Sequence, residues 1–106
     1  MGTTLDHVSI SKKANIYFDG KCISYTLTFP DKVRKTVGVI MPSTLTFATD
    51  APEMMEIVDG KCRVRVGPHG EWKSYEGGGQ FRVEGKSSFD IEVTETVHYV
   101  CSFLTQ

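Results

Sequence analysis

The sequence has little cysteine, little histidine and almost no net charge, and each shortage excludes a class of protein. Among 106 residues there are three cysteines and three histidines, and the formal net charge is −1. Cys22, Cys62 and Cys101 form no CxxC pair, so we expect neither a zinc site nor a disulfide framework. The small net charge provides no basic field for nucleic acid or for an anionic membrane.

Long apolar runs are also missing. No stretch approaches the roughly 20 apolar residues that a membrane helix needs. The first residues contain no apolar stretch typical of a secretion signal. We therefore expect a cytoplasmic protein without a membrane partner, in which the cysteines are small, reduced core residues.

The apolar period of 3.6 residues that marks an amphipathic helix is not sustained anywhere in the chain. Short runs with period two occur instead, for example over residues 22–29, 36–41, 61–66 and 97–103. Many short strands at regular spacing predict an all-β sandwich or barrel. Asp59-Gly60 predicts a two-residue hairpin. Residues 50–56 predict a turn into a strand, with one helical turn as the alternative.

The length suits a single domain. Residues 1–14 are polar and unpatterned, and they predict a loose, variable N-terminal arm. Residues 15–106 contain the alternating runs and are predicted to form the folded domain.

Two segments carry the most specific pattern in the chain. The first runs from Gly38 to Gly60, GVIMPSTLTFATDAPEMMEIVDG, and it ends with Glu53, six residues and Gly60. The second runs from Gly79 to Phe89, GQFRVEGKSSF. These segments resemble the two motifs of the cupin fold. The resemblance implies a single-domain, jelly-roll-like β-barrel.

The metal ligands of that fold are absent. Metal-binding cupins carry His-x-His shortly before the glutamate and one further histidine in the second motif, and the corresponding residues here are Phe47, Thr49 and Phe89. A phenylalanine ring has no lone pair to give to a metal. The three histidines are too far apart in sequence to suggest a ligand set. The sequence therefore predicts no metal and no other cofactor.

Glu53 is the residue of this pattern that points most specifically to a functional role. A carboxylate that points into a barrel costs several kcal/mol unless it is paired or hydrogen-bonded, so a protein keeps it there for a ligand or for a structural network. The alternative is a solvated loop glutamate. The register of the first motif favours the pocket, and we predict Glu53 as the catalytic residue.

An aromatic and hydroxyl pocket is predicted around Glu53. Phe47 and Thr49 alternate with Ala48 and so share one face of a strand. Together with Phe89 and Tyr99 they are predicted to bind a ligand with a flat part and a polar part. The alternative for these residues is an ordinary barrel core, in which a buried tyrosine satisfies its own hydroxyl.

The glycine-rich turns carry weaker signals. Residues 77–79 are three glycines, but they lack the Lys-Ser/Thr of a P-loop and no helix follows, so a flexible turn is the better interpretation. Lys86 and Ser87 follow Gly85 at the start of a strand, where backbone N–H groups and hydroxyls can bind an anion. The alternative is a plain turn.

Beyond the cupin motifs, the chain resembles one known family over about Asn15 to Leu104. The segments that carry the likeness are YFDGK (17–21), VGVIM (37–41), TFAT (46–49) with Glu53, WKSYEGGG (72–79), FRVEGKSSF (81–89) and YVC (99–101). Their order and spacing are similar to the pyrimidine/purine nucleoside phosphorylase family of small cupins. One departure is Val83-Glu84-Gly85, where family members often carry Val-Pro-Gly or Val-Pro-Ala. The rigidity of proline is lost before the Ser87 turn.

The resemblance implies a metal-free homodimer that cleaves nucleosides with inorganic phosphate and releases a free base and ribose 1-phosphate. In this interpretation Glu53 stabilises the transition state while Phe47, Phe89 and Tyr99 surround the base. Thr49, Ser87 and a cation would hold phosphate, with Arg34, Arg82 and Lys86 as the candidate cations. Two other functions stay open, namely a metal-free cupin that binds a sugar or nucleotide without turnover and a purely structural dimer.

Overall fold

Two long strands organise the chain. In the computed structural model, which describes residues 4–104, strands β6 and β9 span 14 and 16 residues and pair with each other along most of their length. The remaining strands attach to these two. In chain order the elements are β1 (Ser9–Ile10), β2 (Asn15–Tyr17), a 3-10 turn (Phe18–Gly20), β3 (Cys22–Thr28), β4 (Arg34–Ile40), β5 (Ser43–Ala48), β6 (Glu53–Val66), β7 (Lys73–Glu76), β8 (Gln80–Val83) and β9 (Ser88–Phe103).

The strands form one continuous antiparallel sheet with two wings. The first wing contains β1, β2, β3, β4, the C-terminal half of β9, the N-terminal half of β6, and β8. The second wing contains β5, the N-terminal half of β9, the C-terminal half of β6, and β7. Buried residues from both wings, such as Ile40 and Ile91, belong to one hydrophobic cluster. The wings therefore pack face to face over a shared core.

The predicted all-β, cupin-like fold class is confirmed. The barrel is not closed by hydrogen bonds: over residues 4–104, no backbone ladder joins β2 to β5 or β7 to β8. These two openings lie at the edges where the wings meet. Each is bridged by an aromatic pair, Phe18 with Phe47 on one side and Tyr75 with Phe81 on the other, at centroid distances of 5.2 and 5.1 Å.

The predicted hairpin at Asp59-Gly60 is wrong. Both residues lie inside β6, at the point where the β6–β9 register shifts and the strands pass from one wing to the other. Gly60 has a φ of +99°, and a Cβ atom there would lie 2.2 Å from the carbonyl oxygen of Thr96. The position needs glycine, but the feature is a β-bulge and not a chain reversal.

Residues 50–56 enter a strand as predicted, since β6 begins at Glu53. The 3-10 turn at Phe18–Gly20 was not predicted. In the arm, Ser9 and Ile10 pair with Thr28 and Leu27 of β3, so this part of residues 1–14 is fastened to the sheet. Residues 1–3 of the predicted arm, and residues 105–106 of the predicted domain, lie outside the described part.

In the part of the chain that the structure describes, no helix is long and apolar enough to span a membrane.

Candidate active site

A cavity of about 190 Å³ lies between the two wings, beside the opening between β2 and β5. Strands from both wings supply its walls, including the edge strand β2. The residues that line it are Tyr17, Ser24, Thr36, Ile40, Phe47, Ala48, Glu53, Met55, Phe89, Tyr99, Cys101 and Phe103. Four of the predicted site residues, namely Phe47, Glu53, Phe89 and Tyr99, are thus brought together.

Aromatic rings form the wall on the side of the second wing. Phe47 of β5 pairs directly with Phe89 of β9, and their rings stack with centroids 5.3 Å apart and planes 20° apart. Phe18 packs edge-on against Phe47 at 5.2 Å. This wall presents flat apolar surface, which suits a planar ligand group.

Glu53 provides the one carboxylate among the residues that line this cavity. It begins β6, where it pairs with Phe103 of β9 and Val83 of β8, and its side chain is about half buried. Burial raises the pKa of Glu53 above its ordinary value because a low-dielectric environment disfavours the charged form, while the nearby Cys101 thiol counteracts part of this shift. A single carboxylate in an apolar cavity is suited to stabilising positive charge.

The other polar groups of the cavity are neutral. Burial, with a smaller contribution from the Glu53 charge, raises the pKa of Cys101 to about 12. The Cys101 thiol therefore stays protonated at neutral pH and is a poor nucleophile. Burial likewise raises the pKa of Tyr99, whose hydroxyl lies 3.5 Å from the Cys22 sulfur. Ser24 and Thr36 add two hydroxyl groups from β3 and β4.

Tyr99 pairs with a glycine in the neighbouring strand. Gly38 of β4 pairs with Tyr99 on one side and with Ser24 of β3 on the other. Because the Tyr99 hydroxyl contacts Cys22 on β3, its ring must cross over β4, where Gly38 has no side chain to obstruct it. A Cβ atom at Gly38 would lie 2.3 Å from the Ile23 carbonyl oxygen.

Thr49 lies outside the cavity, although it was predicted to bind substrate. Its hydroxyl donates to the Glu84 carbonyl oxygen at 2.6 Å and accepts from the Ser87 amide at 3.0 Å. Its own amide donates to the Ser87 carbonyl oxygen at 2.9 Å. Thr49 thus fastens the β8–β9 connection to the end of β5. Its hydroxyl proton is donated to a protein carbonyl group and not to a ligand.

The predicted phosphate-binding residues lie around the cavity but do not line it. Ser87 and Lys86 belong to the connection that Thr49 fastens, and the Lys86 amide donates to the Asp50 carbonyl oxygen at 3.1 Å. Lys86 itself has a φ of +51° and an exposed side chain. These residues directly precede Ser88, which pairs with Ala48 near the end of β5, so they lie at the end of the β5 side of the cavity.

The strand register gives the position of Arg34 relative to Glu53. Lys35 pairs with Ser102, so Arg34 follows beside Phe103, and Phe103 pairs with Glu53. Arg34 also shares its sheet face with Thr36, which lines the cavity. Two strand spacings separate Arg34 from Glu53, which is roughly 10 Å between the backbones.

Arg82 is placed differently. It alternates with the buried Phe81 and Val83 and so points to the outer face, where its Nε lies 3.3 Å from the Glu84 carboxylate. The geometry thus leaves Arg34 and Lys86 as the better candidates among the three cations.

The residues present do not fit a cupin metal. Phe47 and Phe89 stand at two of the positions that carry ligands in metal-binding cupins, and their rings stack on each other. The Thr49 hydroxyl donates to the Glu84 carbonyl oxygen. Glu53 alone remains of the usual ligand set. No cluster of three or more His, Cys, Asp or Glu side chains with metal-binding geometry occurs within residues 4–104.

Sequence reasoning missed several residues of the cavity. Thr36, Cys101 and Phe103 lie on the strand faces that contain Ile40 and Tyr99, so the period-two alternation of β4 and β9 contained the signal. Tyr17 and Phe18 belong to the YFDGK segment, which carries the family resemblance but no site prediction. Their place beside the cavity depends on the β2–β3 pairing, which local sequence does not specify.

Comparisons with known proteins identify the family. The sequence model of the family "Pyrimidine/purine nucleoside phosphorylase" matches residues 12–103. A protein of that name from Cupriavidus metallidurans is 64% identical over 98 residues, covering 92% of this chain and 95% of the relative. Another from Burkholderia orbicola is 59% identical over 102 residues, covering 96% of each chain.

A solved structure gives the same result for the fold. A protein of unknown function from Acinetobacter sp. ADP1 superposes with a TM-score of 0.92 at 46% identity, covering 95% of this chain and 98% of that one. With a family match over residues 12–103 and relatives of this similarity, the chain belongs to the pyrimidine/purine nucleoside phosphorylase family.

Proposed function

We propose that this chain cleaves both purine and pyrimidine nucleosides with inorganic phosphate, giving a free base and ribose 1-phosphate. The observation that carries the proposal is the similarity, over 92–96% of the chain, to relatives named pyrimidine/purine nucleoside phosphorylase. The cavity agrees with it, because it places one carboxylate opposite a wall of stacked aromatic rings.

The reaction needs stabilisation of positive charge. The bond between the anomeric carbon and the base nitrogen breaks, the base nitrogen keeps the electron pair and gains a proton, and a phosphate oxygen bonds to the anomeric carbon. Positive charge develops on the ribose in an oxocarbenium-like transition state, as in glycoside hydrolysis. The Glu53 carboxylate would stabilise that charge more strongly in a half-buried site than in water.

Broad base specificity follows from the aromatic wall. Stacking on the partly exposed Phe47, which packs against the buried Phe89, uses only the π-face that every base has, and it is worth about 1–3 kcal/mol per base. Tyr99 holds its hydroxyl against Cys22. A wall that binds by stacking accepts purines and pyrimidines alike, because it makes few hydrogen bonds that could distinguish them.

Phosphate would bind at the margin of the cavity. Arg34 projects from the row that contains Glu53, and Lys86 and Ser87 lie at the end of β5. Thr49 contributes by fastening the Ser87 turn rather than by contact. A cation at either position would offset the repulsion between phosphate and Glu53.

A homodimer is part of the proposal. The outer apolar face of the first wing consists of Ile23, Tyr25, Val37, Val39, Val58 and Val100. Tyr25 and Val58 are 42% and 50% exposed in the single chain. Strands that are apolar on both faces are typical of sheets whose two faces are both buried. We propose that a second copy of the chain packs against this outer face.

We also propose a cytoplasmic location. Cys22, Cys62 and Cys101 are all buried as free thiols. Protein thiols persist in this form in a reducing compartment.

One observation favours the alternative, a cupin that binds a sugar or nucleotide without turnover. Of the residues that line the cavity, none is a cation, so phosphate must bind at its margin. Binding without turnover would raise thermal stability with nucleoside but release no base.

The test is an incubation with a mixture of purine and pyrimidine nucleosides, with and without inorganic phosphate, analysed for free base. We expect base release from both classes only when phosphate is present. Nucleoside that stabilises the protein without base release would establish the alternative. Equal release without phosphate would identify a hydrolase.

A further inference from the structure

The turn that follows β2 has an unfavourable backbone conformation. Phe18, Asp19 and Gly20 have φ values of +54°, +55° and +91°. Glycine adopts this region readily and aspartate tolerates it, but a bulky aromatic residue there is an outlier. Backbone outliers of this kind are found preferentially at binding sites and moving segments.

The Phe18 ring lies at the opening of the cavity. It is 43% exposed, and it packs edge-on against Phe47 across the gap between the unpaired edges of β2 and β5. The preceding residue, Tyr17, lines the cavity. The turn is held by one hydrogen bond, from the Lys21 amide to the Phe18 carbonyl oxygen at 3.2 Å, and Tyr17 provides no side-chain cap.

The cavity is small for the proposed substrates. Its volume is about 190 Å³, whereas pockets that hold drug-sized ligands measure roughly 300–1,000 Å³. Phosphate is placed at the margin, so the cavity has to hold the nucleoside alone, and a wall that moves would enlarge it. Phe47 and Phe89 are fixed by strand pairing, so Phe18 and its turn form the part that can be displaced at least cost.

We propose that Phe18 is a substrate-positioning residue, which moves away from Phe47 to admit the base and then covers it. This inference rests on the proposed function and names a feature of the same site. The ligand group that Phe18 recognises is a flat heteroaromatic base, purine or pyrimidine, on the aromatic side of the cavity. The ribose and phosphate lie toward Glu53 and do not contact it.

The experiment compares Phe18→Ala and Phe18→Leu with the unmodified protein by calorimetric titration. Uridine and adenosine are titrated in phosphate-free buffer, and ribose 1-phosphate is titrated separately. Loss of one stacking contact predicts roughly tenfold weaker binding of both nucleosides to Phe18→Ala. Phe18→Leu, which keeps apolar area, should lose less. Binding of ribose 1-phosphate should stay within about twofold.

Ile16→Ala is the matched control. Ile16 lies on the edge strand β2, two residues before Phe18. It is 64% exposed and alternates with the cavity-lining Tyr17, so it points to the other side. Its removal should leave nucleoside and ribose 1-phosphate binding unchanged. In turnover assays, Phe18→Ala should raise the KM for nucleoside by roughly tenfold and change kcat less.

The outcomes separate the two proposals. If the unmodified protein binds nucleosides and Phe18→Ala binds them equally well, the role of Phe18 is overturned and the proposed function stands. Equal losses for nucleoside and ribose 1-phosphate would show a general structural effect and would also overturn it. If the unmodified protein binds no nucleoside, both proposals fail.

Discussion

At the scale of single residues, Glu53 is the cavity carboxylate whose burial disfavours its charged form. A half-buried carboxylate with a raised pKa reduces the stability of the folded protein whenever it is ionised. The sequence motif predicted that Glu53 faces a pocket, and the structure places it in the cavity wall. Functional groups of this kind are commonly kept at a cost in stability.

Glu53→Gln should therefore stabilise the fold at neutral pH. The folded-state pKa of Glu53 lies above its unfolded value, so ionisation costs stability at high pH and the cost disappears as the carboxyl group is protonated at low pH. We expect a higher Tm for the variant at pH 7–8 and a difference that shrinks toward pH 4. Thermal melts across this range measure it.

The control for this prediction is Glu76→Gln, which changes an exposed carboxylate on β7. Its effect on Tm should be small at every pH. A Glu53→Gln protein that is less stable at pH 8 than at pH 4, relative to the unmodified chain, would show that Glu53 holds the structure together as an ionised group.

Other single residues show where sequence reasoning stops. The two motifs predicted that Phe47 and Phe89 lie in one pocket, and their rings stack on each other in the structure. Thr49 stood in the same motif, but its hydroxyl is taken by the Glu84 carbonyl oxygen and the Ser87 amide. A motif position tells which way a side chain points, while its bonding partners come from a distant loop that the motif does not describe.

At the scale of elements, the bend in β6 decides whether the cavity exists. Because β6 and β9 run through both wings, they must change direction together near Gly60 and Thr96. The sequence predicted these strands but divided β6 at Asp59-Gly60. A glycine with positive φ suits both a hairpin and a bulge, and only pairing across residues distant in sequence distinguishes the two.

Gly60→Ala should destabilise the protein by about 2–3 kcal/mol. The added Cβ would meet the Thr96 carbonyl oxygen at 2.2 Å, and the residue keeps a φ of +99°. Gly67→Ala is the control, since its φ is +77° but no atom lies within 4 Å of the added Cβ, so only the backbone cost applies. Urea unfolding measures both variants. Equal losses would show that the close contact at Gly60 has no energetic weight.

At the scale of the whole molecule, the outer apolar face predicts association. The face lies on the opposite side of the first wing from the cavity, so a second copy can cover it without blocking the opening between β2 and β5. The sequence alone suggested a dimer on the family resemblance. The exposed positions of Tyr25 and Val58 now give a surface for it.

Light scattering should give twice the chain mass of 11.8 kDa at micromolar concentration. Val39→Asp should lower the mass to that of one chain, because Val39 lies in the outer apolar face between Ile23 and His98 and burying a carboxylate in an apolar interface is costly. A monomer mass for the unmodified protein would contradict the prediction. A dimer that survives Val39→Asp would show that copies associate through another surface.

We propose that this cavity carries out phosphorolysis through Glu53 without a metal, and the rate of ribose 1-phosphate formation tests this most directly. Phosphorus NMR of a nucleoside and phosphate mixture should show one ribose 1-phosphate for each base released, and chelator treatment should leave the rate unchanged. Glu53→Gln should fold but lower the rate by at least about tenfold, which is about 1.4 kcal/mol of transition-state stabilisation, while Glu76→Gln should keep it. Full activity in Glu53→Gln, or activity lost to chelator and restored by a metal, would contradict the account.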